Sequence, residues 1–458
     1  MPNRRRSAVR FDSDGRPAGG MGSALRFASR RLTRRAGLRA AFRYGKMNPR
    51  RVMEGRSADI DRHNNWGGCV DGQANTNKPI APLPGRAIRM TAQETESLFA
   101  DIEELALEVT EEQYKIQPEL MERYGRPGFE KSRRDAVYTL HYLAESVQMD
   151  SPSLFVHYIG WLKQLLAGYG LNEKDIRIKL ELILGRIRAA VQGEERERAV
   201  RILEMGILRM SEPAEQPSYI SEEQPLGQEC RAYLDALLRR DRSGAYALID
   251  AAIASGASLR EVYRHIFQTS QYEVGRLWQT QQISVADEHY CSAVTQSAMS
   301  RLYADWIGLK KQDRTGVLVS ACIGGEMHEI GLRMLTDVFE LEGWETHYLG
   351  SRVDEEELIE TAAKSGADLI ALSATMTFHV HLMKKQIARL RADERLAGVK
   401  IMVGGLPFNV DAALWRRVGA DGYSPDADRA LLEAGRLMRM SRSERERTED
   451  VGAEGGHA

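Results

Sequence analysis

The chain has 458 residues, 43% of them hydrophobic and 28% charged, with a formal net charge of −1. That is material for about two to four packed domains, with no apolar run near the roughly 18 residues a membrane-spanning helix needs and no apolar core of a secretory signal at the N-terminus. Its four cysteines, Cys69, Cys230, Cys291 and Cys322, form no CxxC pair, which excludes a zinc ribbon or disulfide framework and suits a reducing cytoplasm.

Charge is lopsided along the chain. Residues 1–56 carry fifteen Arg and one Lys against Asp12, Asp14 and Glu54, a net of +13 that leaves −14 for the rest. Residues 1–90 show no sustained periodicity and are expected to be a disordered Arg-rich arm, or to precede a true start at Met90; a basic run alone is a weak nucleic-acid signal. Residues 91–212 read as a helical domain. Thr91 with Glu94 offers a capping box, "SRRDAVYTLHYLAESVQM" has helical spacing, "SPSLFVHYIGWLKQLLAGYG" opens on Ser-Pro and closes on Gly, and "DIRIKLELILGRIRAAV" follows as an amphipathic helix. A Pro/Glu/Ser-rich linker is expected over 213–228.

Residues 229–312 return to helical periodicity, with capping boxes at Ser258–Glu261 and Ser284–Asp287; four helices fit, a small bundle. The period then changes. "GVLVSA", "ETHYLG", "ADLIALSA", "KIMVGG" and a short "ADGYS" are strand-length runs alternating with helices over 313–440. That alternation predicts an α/β flavodoxin-like domain, a doubly wound parallel sheet of five strands. Such a sheet binds ligands beyond the carboxyl ends of its strands. Residues 441–458 read as a charged, Gly-rich tail.

The candidate site lies at that edge. "GGEMHEIG" follows the first strand and holds Glu326, His328 and Gly331. Ser373 and Thr375 close the third strand, and Gly404 and Gly405 the fourth. A metal-ligating histidine usually has its second nitrogen held by a carboxylate or carbonyl; Glu326 is placed to do this, with Ser373 holding Glu326 in turn. Paired glycines remove side chains where a bulky, flat group must slide in. The residues alone also fit a phosphate- or metal-binding loop of a receiver-like domain.

Glu326-x-His328-x-x-Gly331, then Ser373-x-Thr375, then Gly404-Gly405, resembles the cobalamin-binding domain of methionine synthase, the corrinoid methyl carriers and the cobalamin mutases. The resemblance implies that His328 displaces the dimethylbenzimidazole base and becomes the lower axial ligand of cobalt, with the nucleotide tail in the glycine-lined groove. The family has Asp where this chain has Glu326.

The preceding bundle carries Trp278, then nine residues, then Glu288 and His289. Alone, these read as a core tryptophan and a solvated turn. Next to the cobalamin motif the pattern resembles the cobalamin-dependent photoreceptors related to CarH. It implies a cap in which Trp278, large and apolar, shields an adenosyl group while Glu288 and His289 surround it. That family has a histidine immediately after the tryptophan; this chain has Gln279, so His289, His265 or water would have to serve as upper ligand after photolysis. No helix-turn-helix is evident, so direct DNA binding is not expected. Upstream, Tyr138, His141, Tyr142, Phe155, His157, Tyr158 and Trp161 form either an aromatic core or a pocket for a second chromophore, biliverdin or haem; the photocobilins join such modules.

The resulting expectation is a cytoplasmic cobalamin-binding light sensor or signalling regulator using adenosylcobalamin, and not an enzyme. It would act through a homo-oligomer or a regulatory protein partner, without a membrane. The alternative is a corrinoid methyl carrier of a methyltransferase system. It shares His328, Ser373 and the glycines, and has no need of Trp278 with Glu288 and His289.

Overall fold

In the computed structural model, residues 101–190, 193–213 and 217–454 are described, the last stretch without side chains beyond 440. The basic arm and the Thr91–Glu94 capping box lie outside the described residues. Five helices come first: α1 (Ile102–Ile116), α2 (Glu119–Gln148), α3 (Pro152–Gly168), α4 (Glu173–Ala190) and α5 (Gly193–Arg209). The Ser-Pro start of α3 is observed, with Pro152 at the first helical position, where a missing N–H costs nothing. Apolar faces at helical spacing, among them Leu140, Leu143, Phe155, Ile159, Ile183 and Leu203, close into one core.

The second bundle comprises α6 (Gly227–Leu238), α7 (Arg242–Ala254), a continuous helical run α8 (259–279) whose stretch Val262–Gln268 is π-helical, and α9 (Val285–Trp306). Both predicted capping boxes are present, Ser258 with Glu261 and Ser284 with Asp287. The boxes start α8 and α9 and thereby set where Trp278 and Glu288 fall.

The third part alternates β1 (Val317–Cys322), α10 (Ile330–Leu341), β2 (Glu345–Gly350), α11 (Glu355–Ser365), β3 (Leu369–Ser373), α12 (Val380–Ala392), β4 (Lys400–Gly404) and β5 (Gly422–Tyr423), and ends in α13 (Ala427–Glu454). The strands form one parallel sheet in the order β2-β1-β3-β4-β5, the flavodoxin-like arrangement the alternation predicts. Every residue of β1 is buried, which is why it reads as an unbroken apolar run instead of an alternating one. The closing helix α13 runs to Glu454, through residues that read as a tail.

Both helical parts lean on the sheet domain. Met334 and Val338 of α10 belong to the core of the second bundle, and Tyr263 donates a buried hydrogen bond to Asp337 at 2.8 Å. Met149 and Leu154, at the α2–α3 corner, join the core on one face of the sheet, where Ser151 also donates to Asp411 at 2.6 Å.

Gly405 marks where β4 must turn beneath the loop after β3. Its φ is +102°, and a Cβ there would sit 1.9 Å from the carbonyl oxygen of Ala374. Gly405→Ala is therefore expected to lower stability by about 3 kcal/mol, measured as a shift of the urea midpoint with the slope unchanged.

Candidate cobalamin site

Register brings the strand ends together. Cys322 pairs with Ser373, and Ser373 with Gly404, so three strands finish flush and their loops open on one edge. The loop after β1 carries Glu326 and His328, the loop after β3 carries Thr375, Met376 and His379, and Gly405 follows β4.

Glu326 is 1% exposed. A carboxylate this buried survives only if its lone pairs are filled, and six donors fill them. Oε1 accepts from the backbone N–H of Met327 (2.9 Å) and His328 (3.0 Å) and from His328 Nδ1 (2.5 Å). Oε2 accepts from the backbone N–H of Thr375 (2.7 Å) and Met376 (2.9 Å) and lies 3.3 Å from His379 Nδ1. Burial pushes the Glu326 carboxyl up, but the hydrogen bonds and charge of His328 and His379 outweigh it and hold the group well below the usual carboxylate range.

The sequence expectation put the Ser373 hydroxyl behind Glu326. The contacts go instead to His379 and two backbone amides. The glutamate side chain spans from the loop after β1 to the loop after β3.

His328 is held by one nitrogen only. With Nδ1–H committed to Glu326, the lone pair sits on Nε2, and the side chain is 60% exposed. Its pKa is raised, chiefly by the hydrogen bond to Glu326, with burial opposing and the charges of Glu326 and Glu288 assisting. Glu288 itself accepts from Ser292 Oγ at 2.8 Å and bonds His289 Nδ1. Trp278 is half-buried in the last turn of α8.

Gln279 points elsewhere. It is 4% exposed and donates to the Trp161 carbonyl (2.9 Å) and Gln164 Oε1 (3.0 Å) of α3. The position occupied by histidine in the photoreceptors here fastens the cap to the first helical domain. His265 lies among Arg264, Glu261 and Asp428, the groups that act on its charge.

The aromatic residues of the first domain mostly stack on one another: Tyr142 on Tyr158 at 3.9 Å and 12°, and Tyr158 near Trp161 at 6.3 Å. Burial lowers the pKa of both His141 and His157. A separate cavity of about 100 Å³ in this domain, lined by Tyr114, Asp135 and Lys179 among others, is several-fold smaller than a tetrapyrrole requires. Tyr142 meets Phe378, the neighbour of His379, edge-on at 5.7 Å, and burial, then the charge of Glu326, raises its pKa. His379 and the backbone donors were not singled out from sequence, and Tyr142 was read only as one of the aromatic residues; the one available signal was the alternation of His379 and His381 soon after Ser373.

Among the described residues no three His, Cys, Asp or Glu side chains converge to hold a bare metal ion. One anchored imidazole suits a metal whose other positions a macrocycle already fills. A Cβ on Gly331 would meet nothing within 4 Å, so the loop beside His328 is open to a large group.

A carboxylate-held histidine at the carboxyl edge of a flavodoxin-like sheet, faced by a helical cap, defines a cobalamin-binding protein. Residues 316–432 match one family described as B12 binding domain, and residues 229–303 match a second family of the same description. Dimethylamine corrinoid protein 3 of Methanosarcina mazei is 32% identical over 125 residues, 27% of this chain and 74% of that protein. Dimethylamine corrinoid protein 3 of Methanosarcina acetivorans is 32% identical over 127 residues, 28% of this chain and 59% of that protein. The structure of the Methanosarcina barkeri monomethylamine corrinoid protein is 25% identical with a TM-score of 0.41, covering 45% of this chain and 97% of that one. The chain belongs to the family of corrinoid proteins with B12 binding domains. It spans about three fifths of the length of the Methanosarcina acetivorans relative. No described helix is long and apolar enough to cross a membrane.

The Glu326–His328 pair makes stability depend on pH in two directions. Glu326 is shifted down from 4.5, so its contribution is present above pH 4.5 and lost as pH falls. His328 is shifted up from 6.5, so its contribution is present below pH 6.5 and lost as pH rises through the folded value. In cobalamin-free protein the pair is expected to stabilise most between those two values. Glu326→Gln should flatten that maximum in urea titrations and return the His328 ring, followed by NMR, toward 6.5.

Proposed function

We propose that the protein is a corrinoid carrier that binds cobalamin base-off, with Nε2 of His328 below the cobalt, and presents a methyl group on the upper face to methyltransferase partners. The observation that carries the reading is the half-held histidine: Nδ1 is bonded to a buried carboxylate and Nε2 is left for a ligand. The kinship with dimethylamine corrinoid proteins favours a methyl carrier over other uses of cobalamin.

Bound cobalamin would supply a cobalt that makes and breaks a bond to carbon. The chain's own residues do the rest. Glu326 keeps the imidazole in the tautomer whose lone pair lies on Nε2, and the amides of Thr375 and Met376 keep Glu326 charged. Gly331 leaves room beside His328, and the nucleotide tail would run along the strand ends, bordered by Ser373 and Thr375. Trp278 and Glu288 cover the upper side and restrict water. These residues catalyse nothing by themselves; the carrier depends on partner enzymes.

A second reading, the light sensor, rests on the Trp278, Glu288 and His289 pattern in the second bundle. In it the upper group is 5′-deoxyadenosyl, green light removes it, and the cap moves against the sheet. Gln279 weighs against a photoproduct with two histidine ligands, because its side chain is engaged with α3.

The two readings separate in the dark and after green light. The carrier reading predicts that methylcobalamin binds at least as tightly as adenosylcobalamin, that Trp278→Ala changes this little, and that illumination leaves the elution volume unchanged. Preference for adenosylcobalamin, its loss in Trp278→Ala, and a light-dependent elution volume would contradict the carrier and support the sensor. In either case His328→Ala should abolish the base-off, histidine-bound spectrum.

A further inference from the structure

The support behind His328 does not end inside the sheet domain. His379 presents Nδ1 to Glu326, while its Nε2 is buried without a partner. Glu145, on α2 of the first helical domain, receives His381 Nδ1 on Oε2 at 2.7 Å, while its Oε1 is buried without a partner. Phe378 stands between the domains, edge-on to Tyr142 at 5.7 Å and edge-on to His379 at 4.8 Å. The two orphan atoms thus belong to neighbouring segments on one interface, and each is costly while unpaired.

We infer that Glu145 is a positioning residue for the cobalt-side histidine: a single buried water bridges its Oε1 and His379 Nε2. The water satisfies both atoms, since its two O–H groups donate one to the carboxyl oxygen and one to the imidazole nitrogen. Burial raises the pKa of Glu145, opposed by the hydrogen bond and charge of His381 and, least, by the charge of His379. An unbroken chain then runs from His328 through Glu326, His379, the water and Glu145 to His381, and Glu145 comes from another domain. Glu145 lies outside both matched B12 segments. Whatever fixes His379 fixes Glu326, so docking of the helical domain and histidine ligation of cobalt favour each other reciprocally.

The inference rests on His328 being the lower ligand. The test uses the full chain loaded with cob(II)alamin, and electron paramagnetic resonance to read the ratio of histidine-bound to histidine-free cobalt from nitrogen splitting. Glu145→Met keeps the volume and removes both polar atoms; it should lower that ratio by about tenfold. Glu145→Gln should stay near the wild type, because its amide donates to the water, which still donates to His379, and its carbonyl accepts from His381. Ser151→Ala removes a different interdomain hydrogen bond, to Asp411, and should leave the ratio unchanged. An unaltered ratio in Glu145→Met, or an equal loss in Ser151→Ala, overturns the inference. Absence of nitrogen splitting in the wild type overturns the ligation reading and the inference with it. If Glu145→Met does not fold, the wild-type protein still decides: the ¹⁵N resonance of His379 Nε2, assigned through His379→Gln, should report a hydrogen-bonded nitrogen, and a free lone-pair shift overturns the inference.

Discussion

One buried carboxylate holds the strand-end edge together. Glu326 is taken out of water by the sheet and is tolerable there only because two loops surrender their backbone amides and two histidines their ring N–H groups. That requirement fixes the loops after β1 and β3 relative to each other. It also settles which nitrogen of His328 stays free. The open, ligand-ready imidazole is thus a by-product of satisfying a buried charge, and the flush ends of β1, β3 and β4 make the arrangement possible.

The two helical parts meet this edge differently. The cap docks on α10 through an apolar seam and the Tyr263–Asp337 hydrogen bond. The first helical domain braces both others. It holds the cap through Gln279 and the sheet domain through Ser151 and the Glu145–His381 pair. A swing of the cap away from the sheet must therefore break the Gln279 contacts or carry the helical domain along. The Gln279, Ser151 and Glu145–His381 contacts are polar, and each offers a place where a partner protein can shift the balance.

Much of this was legible in the sequence where the signal is periodic or local. β1, β3 and β4 showed as apolar runs because inner parallel strands are buried on both faces; the edge strand β2 is mostly half-buried and more polar. The capping boxes at Ser258 and Ser284 showed because their chemistry lies within four residues. The Glu326–His328 pairing was legible for the same reason, being a contact two residues apart. Ser373 as the support of Glu326 was not correct: strand-end position is readable, but which donor on a loop turns inward depends on tertiary packing. Gln279 stood out only as a departure, and its role required the position of α3, more than a hundred residues earlier. The aromatic stretch read ambiguously as core or pocket because both place rings at helical spacing; the stack of Tyr142 on Tyr158 favours core.

The central claim is that His328 Nε2 is the lower ligand of the bound corrinoid. The most direct measurement is the electron paramagnetic resonance spectrum of the cob(II)alamin-loaded protein, prepared with ordinary and with ¹⁵N-labelled histidine. The account predicts that each cobalt line splits into three with ordinary histidine and into two with the label, and that His328→Ala abolishes the splitting. A splitting that ignores the label, or one that persists in His328→Ala, would contradict it.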